Sequence, residues 1–513
     1  MTRVAHMLLA LAVAIVACGD QPTSPNSGSD PSDDPGDGDD PIPAEVVIAP
    51  PAVTFDRFGE TATFEATVLD SAGVELSDPS VNWSSSNPGA VDVDASGRAT
   101  AKGVGTAVVL ARSGAAQQGA SAAFEPAAVT GGEVACSGGT AAGFPCDGVD
   151  LVSYLPLSEL GAPAQVELND MWGWKDSTTS REYALVGRTD GISFVDVTDP
   201  LNPAVVGFLP SPTTAALWRD VKVYANHAYV VADGSLGHGV QIFDLTRLRG
   251  ATGAMTFDED GRYTEVSSVH NIAINEATGF AYTVGNNGGG NPCGPGLHVI
   301  DLSDPASPTF AGCFTDPTTG RSLTGYTHDV QCVIYDGPDA EHAGREICIG
   351  SNETALSIAD VTDKDEPVAL STGSYPDAAY VHQGWLTEDH RYFIQNDELD
   401  ELNGAQASTR MLVWDVEDLD DPILVEEHFG PSGATDHNLY VRGDLLFHSN
   451  YHFGLRVVDV SNPTAPVELG YFDTHPSDDD PGFKGSWSNY PWFDDGIIGV
   501  TSAREGFFLL RIR

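Results

Sequence analysis

Positive charge is what this chain has least of: 24 Lys and Arg stand against 74 Asp and Glu in 513 residues, for a formal net charge of −50. Gripping nucleic acid or an anionic surface requires clustered Lys and Arg to neutralise phosphates, so the composition excludes that class of partner. The acids are spread through every segment, which suits a solvated exterior or loose divalent-cation binding. Long apolar runs are missing too. The one sizeable stretch, Met7 to Ala17 behind Arg3 and His6, is too short to cross a bilayer as a mature helix but has the length of a signal-peptide core. Apolar residues at helical spacing are nearly absent, which turns the reading towards strands. No nucleophile elbow, P-loop, dinucleotide-binding glycine fingerprint or serine triad order occurs, and without HExxH a zincin is excluded. Neither CxxC nor a Cys and His pair at zinc-ligand spacing is present.

The apolar run ends in Ile15, Val16, Ala17, Cys18 and Gly19, which resembles a bacterial lipobox. That resemblance implies a lipoprotein signal peptide over residues 1–17 and a lipid on Cys18, the mature N-terminus. The expected location is the cell envelope, at the outer membrane or cell surface, with the lipid anchor as the only membrane contact. Gly19 in place of Asp does not argue for retention at the inner membrane. Residues 18–43 are mostly Ser, Pro, Gly and Asp. Such a stretch buries too little to offset its ordering entropy and reads as an extended acidic tether. Its run Asp37, Asp39 and Asp40 lacks the spacing and glycine of an EF-hand loop.

Seven cysteines are present. With Cys18 lipidated, six remain, and an exported protein holds such residues as disulfides. Six allow 15 pairings. Proximity favours Cys136 with Cys146, Cys293 with Cys313, and Cys332 with Cys348, the last clamping the strands VQCVIY and REICIG.

Residues 44–127 are short alternating runs broken by Gly, Asn, Asp and Pro, the pattern of a small antiparallel sandwich. Trp83-Ser84-Ser85-Ser86-Asn87 and Asp94-Ala95-Ser96-Gly97 resemble landmarks of the bacterial group-2 immunoglobulin-like domain. The resemblance implies a spacer or adhesion module, with Trp83 in its core.

From residue 128 to the end a phrase recurs: VDVTDPLNP at Val195, FDLTRLRG at Phe243, IDLSDPASP at Ile300, ADVTDKDEP at Ala359, WDVEDLDDP at Trp414 and VDVSNPTAP at Val458. Its Asp recurs roughly every 45 to 60 residues, a period of propeller blades or similar arrays. Each unit reads as four strands with the Asp closing the third, where its carboxylate fastens an Asx-type turn. The last unit stops at LRIR without an outer strand, and VDLVSYLPLSEL, at Val149 to Leu160, is placed to supply one. The expected fold is therefore all-β: a seven-bladed β-propeller with N-terminal strand closure, plus a small Ig-like β-sandwich, working as a monomer. The phrase, together with CSGGTAAGFPCDGVDLVSYLPLSELG, HNIAIN, THDVQC, HQGWLTEDHRYF and DHNLYVRG, resembles the LVIVD-repeat propellers, and more closely the choice-of-anchor B family. The resemblance implies a fold and a surface location but no reaction.

The first strands share a polar pair at one register: Asn169-Asp170, Arg219-Asp220, His270-Asn271, His328-Asp329, His382-Gln383, His437-Asn438 and Ser488-Asn489. Four imidazoles, His270, His328, His382 and His437, with the carboxylates Asp220 and Asp329, would suit a divalent metal such as Ca, Mn, Cu or Zn. The alternative is that these groups satisfy one another around a wet axis. Trp172, Trp385 and Trp487, with Asn450, are candidates to hold a sugar or planar ligand; the alternative for the aromatics is wedge packing between blades. The insertion from Asn396 to Thr409 carries Asp397, Glu398, Asp400 and Glu401, either a cation attractor or a solvated loop. The leading expectation is a binding or adhesion module for a protein or glycan ligand, with no catalytic residue assigned. The rival is a metal-dependent hydrolase or oxidase built on the histidines.

Overall fold

In the computed structural model, residues 42–163, 165–251, 253–288 and 290–513 are described. The signal peptide, Cys18 and all but the end of the 18–43 stretch lie outside the described residues. Among those described there is no α-helix; strands alternate with turns and three short 3₁₀ segments, Leu245–Leu248, Arg321–Leu323 and Asp494–Gly496. No described helix is long and apolar enough to cross a membrane.

The N-terminal strands make a small sandwich. Gly105–Ser113 pairs with Ala116–Phe124 and Asn82–Ser85, while Arg98–Ala101 joins Thr61–Thr63 to Val91–Val93. Along Gly105–Ser113 every second side chain is buried, the period-two pattern of a half-buried strand. Phe55, Phe64, Val109 and Phe124 fill the core, and half-buried Trp83 packs against it. Gly97 has φ +82°, and a Cβ there would lie 2.4 Å from the Phe64 carbonyl oxygen and 2.8 Å from the Trp83 ring. Only glycine fits that turn. Phe58 bridges to the next region, its ring 4.6 Å from Phe124 and 5.0 Å from Phe144. Pro43–Arg513 accordingly forms one compact unit.

Beyond the sandwich lies a propeller-like succession of separate sheets, antiparallel but for the pairing of Ala204–Pro210 with Met255–Thr256, none closed on itself. Their first strands are Leu168–Asp176, Arg219–Tyr224, Asn271–Asn275, Asp329–Ile334, Val381–Leu386, Leu439–Arg442 and Ser486–Tyr490. Each lies against the next, and Ser486–Tyr490 also lies against Leu168–Asp176. The sheet begun by Ser486–Tyr490 takes its outer strand from far upstream: Val149–Pro156 runs antiparallel to Gly506–Ile512, Val149 opposite Ile512. Apolar side chains between neighbouring sheets form the core, as where Ile394, Met411 and Val413 meet Leu439, Leu446 and Val458. The three disulfides are Cys136–Cys146, Cys293–Cys313 and Cys332–Cys348. Cys332 and Cys348 sit directly opposite one another in their hairpin.

The recurring aspartates all do one thing. Asp196, Asp244, Asp301, Asp360, Asp415 and Asp459 each accept the backbone N–H two residues on, at 2.7–3.0 Å. The carboxylate thus fastens the turn that releases the chain from the third strand. In five units the outer strand carries a β-bulge next to this point, as at Leu370, opposite Ile358 and Ala359. The bulge increases the twist of the edge and makes it a poorer template for pairing. Burial alone would raise the Asp360 carboxyl, but Thr362 and Arg345 hold it below its usual range. Asp360→Ala should lower unfolding free energy by about 1–2 kcal/mol at neutral pH. In urea titrations the difference from wild type should shrink as pH falls through the depressed carboxyl range, where the native carboxylate takes up its proton.

Candidate functional site

Consecutive side chains of a strand point to opposite faces, and within the polar pairs this sends His328 and His382 to one cavity and Asp329 and Gln383 to another. The second members stitch first strands together. Asp220 accepts the Ile272 N–H at 2.9 Å, Asn271 donates to the His328 carbonyl at 3.1 Å, and Gln383 donates to and accepts from the Leu439 backbone at 2.9 Å. These amides and carboxylates are occupied by structure.

Arg219, His270, His328, His382 and His437 line a cavity of about 310 Å³, with Asp170, Asn271 and Asn438 also in its wall. In it the four imidazoles form a row of mutually tilted rings: His270 to His328 is 4.3 Å between ring centroids, His328 to His382 4.3 Å, and His382 to His437 4.7 Å. His328 Nδ1 lies 2.8 Å from the His382 carbonyl, and His437 Nδ1 contacts the Trp487 carbonyl. An acceptor at Nδ1 fixes the proton there and leaves Nε2 with its lone pair. His270 Nδ1 faces Asp233 Oδ2 at 3.0 Å, the same device with a carboxylate as acceptor. Burial would raise Asp233, but His270, Ser268 and the Gly234 N–H hold it well below the usual carboxylate range.

Glu398 completes the set from the long insertion. Its carboxylate oxygens lie 3.8 Å from His382 Nε2 and 3.8 Å from His437 Nε2, and Tyr451 donates to it at 2.9 Å. Burial pushes Glu398 up to about 7. Desolvation drives His328 and His382 well below the ordinary imidazole range and His437 down to about 3. These three rings are therefore neutral at pH 7. One ligand atom from each of His328, His382 and Glu398 falls within 4.8 Å of the others. Neutral imidazoles beside one carboxylate, with Nδ1 of His328 and His437 held on carbonyls and Nδ1 of His382 unpartnered, are a donor set for a first-row divalent metal.

Asp220 and Asp329 do not join this set. They share a different environment with Asp170 around Lys222, whose Nζ is 2.6 Å from Asp220 Oδ1. The grouping read from sequence is corrected on this point: His328 and Asp329 are adjacent, so strand alternation sends them to opposite faces. Burial, with Asp220 nearby, raises Asp170 to about 6, and burial raises Asp329 to about 7 although Lys222 opposes it. A second cavity, of about 260 Å³, opens on that side, lined in part by Lys222, Asp329, Trp172 and Trp385. There the aromatics pack on one another, Trp385 5.1 Å from Tyr440 and Trp172 5.6 Å from Trp492. Trp487 instead lines the histidine cavity, 5.2 Å from His437. Asn450 lines neither. It is buried, and its amide is oriented to donate to Asp436 and to His448 Nε2, at 3.2 and 2.9 Å; it is a packing residue rather than a ligand contact.

Asp233 and Tyr451 carry no sequence signal of their own. A second arrangement also escapes the linear motif search: Ser477 Oγ lies 2.7 Å from His475 Nε2, whose Nδ1 lies 2.6 Å from buried Glu505. The Ser477 hydroxyl is roofed by the sandwich, since a Cβ on Gly103 would come within 3.3 Å of it.

Residues 77–115 match the intimin immunoglobulin-like domain, and residues 271–316 and 437–474 match the LVIVD repeat. The chain thus carries an Ig-like domain followed by LVIVD repeats. No curated protein matches it in sequence. Among solved structures it is similar to a protein from Lactobacillus plantarum, at 13% identity over 65% of this chain and 88% of that one, with a TM-score of 0.43. It is also similar to a chain of the COPII outer coat vertex on membranes, at 11% identity over 67% and 84%, with a TM-score of 0.45.

Proposed function

We propose that this is an exported, lipid-anchored envelope protein of the choice-of-anchor B kind, acting as a monomer and displaying a binding module whose axial cavity holds a divalent metal. Cys18 carries the anchor, residues 18–43 the tether, and residues 44–127 a sandwich of the group-2 type. Residues 128–513 form a seven-bladed propeller, a reading supported by the succession of first strands and by the pairing of Val149–Pro156 with Gly506–Ile512. Cysteines paired in three disulfides suit an oxidising compartment. The observation that carries the metal is the row of four imidazoles, those of His328, His382 and His437 neutral, with the Nδ1 atoms of His270, His328 and His437 on acceptors and the Nε2 atoms of His382 and His437 beside Glu398. Trp218 and Phe483, 46% and 43% exposed at the rim of the same cavity, give a protein or glycan ligand an aromatic seat.

Elemental analysis of the purified chain, reconstituted in turn with Ca, Mn, Cu and Zn, tests this. One transition-metal ion per chain, lost in His328→Ala and His437→Ala, is the expected result. A chain that retains none of Mn, Cu and Zn sinks the metal centre.

A further inference from the structure

The densest unexplained charge in the described molecule lies next to that cavity but outside it. Asp400 and Asp436 are fully buried and Glu401 is 5% exposed. One carboxylate oxygen from each lies within 4.8 Å of the others. Both Glu401 oxygens and Asp400 Oδ1 are buried without a hydrogen-bond partner among the described residues. The remaining oxygens are accounted for. Asp400 Oδ2 pairs with Arg410 Nη2 at 2.7 Å, Asp436 Oδ2 accepts the Arg410 N–H at 2.6 Å, and Asp436 Oδ1 faces the Asn450 amide. Arg410 is shared with Glu427 at 3.1 Å, so a single guanidinium serves more carboxylates than it can neutralise. His448 Nε2, 3.6 Å from Asp436 Oδ1, adds no donor, because it accepts from Asn396 at 3.2 Å.

Buried carboxylate oxygens without donors are among the costliest groups to leave unpaired. Three converging from two chain segments call for a cation at their centre. We propose that Asp400, Glu401 and Asp436 bind a hard divalent cation of the calcium class. The donors are all oxygen, which favours calcium over the soft or imidazole-seeking metals. Asp400 and Glu401 belong to the long insertion, and Asp436 to the segment entering the next first strand, so the ion ties the insertion to the neighbouring sheet. Glu398 lies two residues before Asp400, and the ion thereby fixes the loop that carries it. The site itself stands whether or not the axial cavity binds metal.

The test uses the full chain stripped with EDTA and titrated with CaCl2 at pH 7.5, by calorimetry and thermal melting. One calcium per chain and a melting temperature that climbs with calcium concentration are expected. Glu401→Gln should weaken calcium binding about tenfold or more, by removing a charged ligand. In EDTA this isosteric variant should melt no lower than wild type, since it relieves repulsion, and that separates ligand loss from misfolding. His328→Ala should leave calcium binding intact. Absence of a calcium response in the stripped wild type overturns the proposal, because carboxyls that merely share protons need no ion. Calcium binding that disappears in His328→Ala places the ion in the axial cavity and overturns it equally.

Discussion

Replacing Arg410 with alanine should destabilise the protein by about 3–5 kcal/mol, the range for removing one partner from a buried ionic cluster. Arg410 is 1% exposed, pairs with Asp400 at 2.7 Å and Glu427 at 3.1 Å, and stacks over the Tyr375 ring at 5.0 Å. Without the guanidinium, Asp400, Glu401 and Asp436 face one another with no protein cation in contact. Burial already pushes the Asp436 carboxyl well above its usual range, with Asp400 adding to the effect. The alanine variant should therefore unfold at lower urea than wild type in EDTA, and calcium should recover part of the loss. Arg410→Lys should fall between the two, because a single ammonium cannot span Asp400 and Glu427 as the planar fork does. A loss below about 1 kcal/mol in EDTA would show that the cluster carries no net buried charge, since that is the scale of an exposed pair.

Much of the architecture was legible because it is written locally. The Asp of each phrase precedes its own turn, and all six meet the N–H two residues on. Cys332 and Cys348 flank one hairpin and pair across it. The far pairing of Val149 with Ile512 was readable only because the last unit visibly lacked a strand. The site was legible in part. A shared register brings His270, His328, His382 and His437 into one row, and register is a sequence property. Treating His328 and Asp329 as one donor pair ignored alternation, a sequence property as well. Glu398, Asp233 and the Asp400, Glu401 and Asp436 cluster depend on how loops fold over the sheets. An acidic loop that will be buried and one that will be solvated read alike until the chain around them is in place.

Metal affinity at the axial cavity should fall about tenfold for each pH unit below 7, with one proton taken up per ion released. The sign follows from which group must change state. Glu398 titrates at about 7, so below that pH the metal competes with a proton for its carboxylate. His437 titrates at about 3, and His328 and His382 lie well below the ordinary imidazole range, so those rings are already neutral. An exposed site of ordinary histidines would lose affinity far more steeply below about 6.5, one power of ten per imidazole. Glu398→Gln should flatten the profile between pH 5 and 7 and weaken binding at pH 8 by about 10–100-fold, the range seen when a supporting group at a metal site is lost. Competition titrations against a chelator of known pH behaviour read this slope directly. Melting of the metal-free protein does not, because two linkages of opposite sign overlap there. A carboxyl raised to about 7 makes stability fall as pH rises through the interval above its unfolded value, whereas His437, lowered to about 3, makes stability rise with pH up to about 6.5. The proton count on metal release is free of that cancellation: a slope near one assigns the proton to Glu398, and a slope of two or more assigns it to the imidazoles and removes the basis for a neutral histidine row.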